Sequence, residues 1–378
     1  MIDTGFTNLQ TPCVLVDHSR LIRNIASIQQ IANTHHVELR PHIKTHKSLE
    51  IARLQLTEGA VGITAAKPDE ALVFINAGVK SVTVAYPIIS QSKLDKLLTA
   101  STAHQTDLRL VADSITGVEA FALAAERHKA IINVFVKIDV GLHRCGLQEN
   151  DPELTTVIRR INGNSRLQFK GLLSHAGNCY SARCVDDVMQ VAREECRILG
   201  RVRERIESLG IEVAEVSVGA TPTVIISDLY EKITEIRPGN YVFMDLTPVR
   251  LGVIDEDRIA LSVLATVISS NYEYTIIDAG TKALSSDLGA HGTGGGLGYG
   301  LAYAVDDFDK KLNPTPVVKL SEEHGFLRRN AVPLPIGSLV RIIPNHACPV
   351  ANLAEELVVM FPDGRFERWS VDARGCVQ

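Results

Sequence analysis

The first two thirds of the chain alternate between short apolar runs and longer amphipathic runs, and this alternation limits the possible folds more than any other feature. Eight short runs are strand-like, and several of them are apolar almost throughout, which is typical of parallel strands buried on both faces. They lie at residues 37–44, 62–66, 81–86, 108–112, 132–139, 169–175, 213–218 and 235–242. Helical periodicity separates most of them, at 48–58, 69–76, 91–100, 115–127 and 185–208. Eight such units in about 210 residues predict a TIM (β/α)8 barrel, with an open doubly wound sheet as the alternative.

Beyond residue 245 the sequence changes character, because strand-like runs continue without long helical stretches between them. These runs lie at 258–269, 274–278, 316–320, 338–343, 356–360 and 367–371. Near the start, a strand at 13–17 precedes a helix at 19–33 with Ser19 as its N-cap. The predicted fold class is therefore α/β, with a barrel domain at 18–245 followed by a C-terminal β domain at 246–378. The strand at 11–17 is assigned to the second domain.

Charge and composition exclude several classes of function. The 378 residues carry a net charge of -5, which argues against nucleic acid or an anionic membrane as the main partner. No apolar run approaches the ~20 residues of a membrane span, and the N-terminus lacks the pattern of a signal peptide. The seven cysteines include no CxxC pair, so a disulfide framework is not expected. We expect a cytoplasmic protein.

The segment RPHIKTHK at 40–47 concentrates two lysines and two histidines at the predicted end of a strand. In α/β barrels the residues at strand ends carry the chemistry. A lysine such as Lys44 can act as a Schiff-base nucleophile when burial or neighbouring cations lower its pKa. Taken alone, this segment is better explained as a basic surface loop, since charged residues are mostly exposed.

Two loops that follow the seventh and eighth predicted strands contain glycine beside hydroxyl or amide side chains. SVGATPT holds Gly219 and Thr221, and RPGNY holds Gly239 and Asn240. Glycine lets a backbone N–H approach a ligand closely, and the loops after strands 7 and 8 of a barrel are the usual phosphate site. Either loop alone is explained by ordinary turns, but together they predict a phosphorylated ligand.

Two motifs follow the fifth and sixth predicted strands. Arg144, in DVGLHRCG, can hold an oxygen of a flat anionic ligand. Tyr180, in SHAGNCY, is placed to approach a ring nitrogen, whereas His175 in the same motif is also explained as a core histidine.

The segment PNHACP contains two potential metal ligands, His346 and Cys348. Residues two apart in an extended segment point the same way, so both can bind one ion. Imidazole with thiolate favours zinc, and two protein ligands leave positions for substrate or water, as in a catalytic site. A chance HxC sequence is the alternative.

Taken together, RPHIKTHK, DVGLHRCG, SHAGNCY, SVGATPT, RPGNYVFMD, LSEEHG and PNHACPVAN resemble the motifs of the alanine racemase-like, fold type III enzymes that use pyridoxal 5′-phosphate (PLP). Within that group the combination resembles the metal-dependent D-serine dehydratase and D-threonine aldolase family, over residues 11–359. The resemblance implies that Lys44 carries PLP, that Arg144 contacts its phenolic side and that Tyr180 lies near its pyridine nitrogen. It also implies that four residues lie near the phosphate: Gly219, Thr221, Gly239 and Asn240. By the same resemblance, His346 and Cys348 hold the metal.

The resemblance implies a PLP- and metal-dependent lyase that acts on D-β-hydroxy-α-amino acids, with Lys44, Tyr180 and Arg144 as catalytic residues. The HxC pair and Tyr180 follow the dehydratase pattern, which favours release of a 2-oxo acid and ammonia from D-serine or D-3-hydroxyaspartate. A D-threonine-type aldolase is the alternative, and a PLP racemase or a non-catalytic PLP-binding protein is less favoured. The expected metal is zinc, with manganese as the alternative. We expect a homodimer whose only other partner is its small D-amino acid substrate.

Overall fold

The computed structural model describes residues 5–289, 298–329 and 334–378, and these residues form two compact units. The first, here called the barrel unit, contains Ser27–Lys44, Ile51–Gly239 and Gly375–Gln378. The second, here called the β unit, contains Met1–Ala26, Thr45–Glu50 and Asn240–Arg374. Within the described ranges, no helix is both long enough and apolar enough to cross a membrane.

Eight parallel strands form the sheet of the barrel unit. Strand β1 (Cys13–Asp17) belongs to the β unit, and the barrel strands follow it: β2 (Glu38–Leu39), β3 (Ile63–Ala65), β4 (Ser81–Val84), β5 (Asp107–Ala112), β6 (Ile132–Lys137), β7 (Leu167–Leu173), β8 (Glu215–Val218) and β9 (Glu235–Ile236). Their order is β2-β9-β8-β7-β6-β5-β4-β3. A bridge between His42 and Thr64 joins the β2 and β3 ends of this order, so the sheet closes. The predicted barrel is confirmed, and the open sheet is excluded.

Helices follow the strands along the chain and cover apolar strand faces. They are α1 (His18–His35), α2 (Leu49–Glu58), α3 (Pro68–Asn76), α4 (Gln91–His104), α5 (Ile115–His128), α6 (Glu153–Asn162), α7 (Val185–Glu207) and α8 (Thr221–Ile226). Helix α6 was not predicted. The predicted N-cap of α1 is wrong, because the backbone N–H of Arg20 donates to Oδ1 of Asp17 at 2.9 Å, while Ser19 lies inside the helix.

Two barrel strands are shorter than the sequence predicted, and proline accounts for both. The strand predicted at 37–44 ends at Leu39, because Pro41 has no N–H for the strand ladder, and the chain then turns through Ile43–Thr45. The strand predicted at 235–242 ends at Ile236, two residues before Pro238. Lys44 therefore lies in a tight turn beyond the strand end rather than in the strand.

Among the described residues, nine strands form the sheet of the β unit: β1 together with β10 (Leu261–Ser270), β11 (Tyr274–Ile277), β12 (Gly300–Ala304), β13 (Thr315–Leu320), β14 (Gly325–Arg328), β15 (Leu339–Pro344), β16 (Glu356–Met360) and β17 (Phe366–Ser370). Their order is β11-β14-β13-β12-β15-β10-β1-β16-β17, and β11 also pairs with β10. Three short α-helices lie in the described part of this unit: α9 (Leu246–Arg250), α10 (Thr281–Leu284) and α11 (Ala347–Leu353). The predicted C-terminal β architecture is confirmed, although β12 and β14 were missed.

A buried ion-pair network lies near the amino ends of the barrel strands. Nε of Arg40 is 2.6 Å from Oε2 of Glu235, and both side chains are at most 2% exposed. Nη1 of Arg40 donates to Oγ of Ser81 at 2.7 Å. A Cβ on Gly62 would lie 2.1 Å from Nη1 of Arg40, so only glycine leaves room for this guanidinium. Three carboxylates of this network, Glu38, Glu215 and Glu235, lie close enough together to hold a metal ion. Arg109 pairs with Glu215 and Glu235, and the charge of Arg40 acts on Glu38. Neighbouring cations therefore account for this cluster of carboxylates.

Arg40→Met should therefore lower the free energy of unfolding by about 3 kcal/mol, because it leaves the carboxylate of Glu235 buried without its closest cation. Urea denaturation of the two proteins measures this difference. Arg127→Met is the matched control, because Arg127 and Asp95 form a half-exposed pair whose loss should cost less than about 1 kcal/mol. Equal losses for the two variants would contradict the role assigned to Arg40.

Candidate active site

The candidate lysine, Lys44, follows β2 in the Ile43–Thr45 turn and is partly buried. Two histidines of the barrel unit lie within its electrostatic reach. Burial, followed by the charge of Lys44, holds the pKa of His42 and of His175 well below the usual value, so both imidazoles are neutral at pH 7. Nδ1 of His175 is 3.1 Å from the carbonyl oxygen of Gly219, which fixes this ring against the glycine loop. His175 is thus held by a specific contact beside the candidate lysine.

Two buried cations of the barrel unit add positive charge to the same region. Nε of Arg237 donates to Oγ of Ser217 at 2.6 Å, and Nη2 donates to the carbonyl oxygen of Ser174. Burial lowers the pKa of Arg237, and burial with the nearby charge of Arg237 lowers that of Lys137 to about 8. A concentration of buried cations favours an anionic ligand. Neither Arg237 nor Lys137 was predicted from the sequence as a site residue. Arg237 could have been predicted, because it lies at a strand end just before Pro238 and Gly239.

The backbone of the loop after β8 requires glycine at position 219. Gly219 has φ +122°, and a Cβ there would lie 2.9 Å from Cγ2 of Val224. Helix α8 begins at Thr221, whose Oγ1 is buried and has no hydrogen-bond partner among the described residues. A buried hydroxyl without a partner is costly unless a ligand satisfies it. The residues of this loop therefore fit a phosphate group.

The other predicted cofactor residues differ in their surroundings. Arg144 is exposed, and its charge contributes to the lowered pKa of His175. Tyr180 is partly buried in the turn Gly177–Ser181, and Gly239 is buried at the end of the barrel unit. Asn240 belongs to the β unit, where its Nδ2 donates to Oδ2 of Asp245 at 2.9 Å. The barrel unit thus contains all the predicted cofactor residues except Asn240.

The two predicted metal ligands belong to the β unit. His346 precedes α11 and Cys348 lies in its first turn, and the two side chains are hydrogen-bonded to each other. Nδ1 of His346 is 2.8 Å from Oδ2 of Asp287. Burial alone would lower the pKa of His346, but Cys348, Asp287 and Asp245 raise it to about 11. Imidazole and thiolate together form a donor pair that suits a divalent cation such as zinc.

Two further residues hold the segment that carries these ligands. Asp245 is fully buried, and its Oδ2 accepts a hydrogen bond from the backbone N–H of Ala347 at 2.8 Å. Oγ1 of Thr45 lies 3.2 Å from Sγ of Cys348. Thr45, Asp245 and Asp287 were not predicted as site residues. Their separation from residues 346–348 in the sequence concealed these contacts.

Two family models match the chain. Residues 16–247 match the alanine racemase N-terminal domain, and residues 260–360 match the "putative serine dehydratase domain". The first match covers the predicted barrel domain, and the second covers most of the predicted C-terminal β domain.

Curated relatives match the chain almost from end to end. D-threo-3-hydroxyaspartate dehydratase of Delftia sp. is 33% identical over 98% of each chain. D-serine dehydratase of Dictyostelium discoideum is 32% identical over 95% of each chain. D-threonine aldolase of Arthrobacter sp. is 29% identical over 97% of this chain and 93% of its own.

Solved structures of D-threo-3-hydroxyaspartate dehydratase superpose closely on the chain. A histidine-to-alanine variant gives a TM-score of 0.89 at 31% identity, covering 96% of this chain and 95% of its own. A cysteine-to-alanine variant in the metal-free form, altered two positions further along, gives 0.89 at 31% identity and covers 96% and 97%. With the sequence motifs and both domain matches, these findings show that the chain belongs to the alanine racemase-like family, in the branch of the D-serine dehydratases, D-threo-3-hydroxyaspartate dehydratase and D-threonine aldolase.

Proposed function

We propose that this chain is a PLP- and metal-dependent lyase that dehydrates a D-β-hydroxy-α-amino acid, releasing a 2-oxo acid and ammonia. The observation that carries the proposal is the presence of two reactive groups in one chain. Lys44 lies among buried imidazoles and cations of the barrel unit, and His346 with Cys348 forms a donor pair in the β unit. A carrier protein without chemistry has no need of the second group.

The barrel unit fits PLP on three observations. The unpartnered hydroxyl of Thr221 suits its phosphate, and Arg237 with Lys137 supplies compensating positive charge. Lys44 is the amine that would hold the cofactor as a Schiff base. When bound, the cofactor accepts the electron pair left at the substrate's α-carbon.

The chain's own residues account for proton transfer and orientation in this proposal. Nζ of Lys44 would be the base that removes the α-proton of the substrate. The neutral imidazole of His175 is held in place by its contact with Gly219. Tyr180 is assigned to the pyridine nitrogen and Arg144 to the phenolic oxygen of the cofactor.

In the β unit, His346 and Cys348 are the residues that would hold the metal, which supplies a Lewis acid for the substrate's β-hydroxyl. We assign zinc, because imidazole and thiolate suit it, with manganese as the alternative. The relative of known structure was altered at a histidine and at a cysteine with the same spacing, and the cysteine variant is described as metal-free. This spacing supports the assignment of His346 and Cys348.

An aldolase is the second candidate, because a curated D-threonine aldolase is 29% identical. It would cleave Cα–Cβ and give glycine and an aldehyde. The HxC pair and Tyr180 favour dehydration. A racemase needs a base on each face of the cofactor and no metal, so the donor pair argues against it.

Product analysis tests the proposal directly. The purified protein, supplied with PLP and zinc or manganese, is incubated with D-serine, D-threo-3-hydroxyaspartate, D-threonine and their L-enantiomers, with and without chelator. We expect ammonia and a 2-oxo acid from a D-substrate, and loss of both with chelator. Glycine with an aldehyde would support the aldolase, whereas racemisation alone would contradict both lyase assignments.

We also propose that the chain works as a homodimer, the commonest soluble assembly. Large apolar side chains are exposed close to the β10–β11 hairpin of the β unit: Ile268 at 42%, Tyr272 at 89% and Ile336 at 65%. Exposed apolar patches often mark protein interfaces. Light scattering at micromolar concentration should give twice the mass of one chain. A fully active monomer would contradict this prediction.

A further inference from the structure

The carboxylate of Asp287 directs its two oxygens to different partners. Oδ2 is 2.8 Å from Nδ1 of His346, and Oδ1 accepts a hydrogen bond from the backbone N–H of Gly289 at 3.2 Å. The backbone N–H of Asp287 in turn donates to Oγ of Ser285 at 3.2 Å. The carboxylate is therefore anchored by its own loop beyond α10, and Oδ2 faces the imidazole.

A histidine that binds a metal through one ring nitrogen usually donates the hydrogen of the other to a carboxylate. Such a partner fixes the tautomer and the ring orientation, and it makes the ligating nitrogen more basic. The side chains of His346 and Asp287 are 19% and 31% exposed, so solvent weakens this contact less than it would on an open surface.

We propose that Asp287 is a positioning residue for the metal: it holds the Nδ1–H of His346 and thereby assigns Nε2 to the ion. This inference rests on the proposed metal pair and adds a third residue, which contacts His346. Because it acts through His346, its loss should weaken metal binding without removing a ligand.

The test measures the metal itself. Protein with PLP bound is stripped of metal, and the dissociation constant for Zn²⁺ is obtained by competition with a chromophoric chelator. Asp287→Ala should raise this constant about 10- to 100-fold. Asp287→Asn should raise it less, because an amide oxygen still accepts the Nδ1 hydrogen. The absorption band of the cofactor and the thermal midpoint should not change in either variant.

Asp95→Asn is the matched control, because Oδ1 of Asp95 lies 2.8 Å from Nε2 of His128 in a similar carboxylate–imidazole pair on α4 and α5. It should leave the zinc constant unchanged. If both Asp287 variants bind zinc as tightly as wild type, the positioning role is wrong and the proposed function stands. If wild type itself shows no zinc affinity that His346→Ala lowers, both the metal assignment and this inference fail.

Discussion

Lys44→Ala is expected to lower the turnover of the D-β-hydroxy amino acid by about 10³-fold or more, because it removes both the amine that holds the cofactor and the base for the α-proton. The same change should abolish the visible absorption of the bound cofactor in the resting protein. Borohydride reduction of wild type should bleach that absorption and leave the cofactor on Lys44, as identified by peptide mass spectrometry. Release of the 2-oxo acid measures turnover.

Two nearby lysines serve as controls for this assignment. Nζ of Lys47 donates to the carbonyl oxygen of Ala373, and Nζ of Lys67 lies 4.1 Å from the centre of the Tyr86 ring. Their alanine variants should retain the reducible cofactor band. A reduced label on Lys47 or Lys67, or an intact band in Lys44→Ala, would refute the assignment.

His346→Ala and Cys348→Ala are expected to reduce elimination of the β-hydroxyl by at least about 100-fold, because each removes one of the two proposed metal ligands. A structural zinc normally has four protein ligands, so folding should not depend on this pair. The cofactor band and the thermal midpoint should therefore stay close to those of wild type. Exchange of the α-proton in D₂O, which needs Lys44 and the cofactor, should survive in part.

Cys184→Ala is the control for general effects of losing a thiol, since Cys184 is exposed and lies in the barrel unit. It should behave as wild type in all four measurements. If chelation unfolds the protein, the metal is structural. If exchange and elimination fall together in the His346 variant, the metal holds the whole substrate, and the role at the β-hydroxyl is wrong.

The sequence predicted the barrel because its strands are buried on both faces and so appear as continuous apolar runs. Strand ends were harder to place. Strands β2 and β9 end just before Pro41 and Pro238, short of the predicted ends at 44 and 242. Strands β12 and β14 were missed because each is short and begins at a glycine, Gly300 or Gly325, which weakens a strand signal.

For the site, the sequence supplied candidates but not their surroundings. The motifs picked out Lys44 and the HxC pair from residue type and spacing alone. The neutral state of His42 and the partner of His346 depend on contacts made in the folded chain, and Asp287 lies 59 residues before His346. Such contacts leave no periodic or local pattern, so a single sequence does not reveal them.

Oγ1 of Thr45 contacts Sγ of Cys348, and Thr45 is joined by a peptide bond to Lys44. If binding at the proposed cofactor lysine is coupled to binding at the proposed thiol ligand, Thr45 is the residue adjacent to both. Linkage requires such a coupling to be reciprocal: whatever factor the metal applies to cofactor affinity, the cofactor applies to metal affinity. Zinc affinity measured with and without bound PLP would give the size and the sign of this common factor.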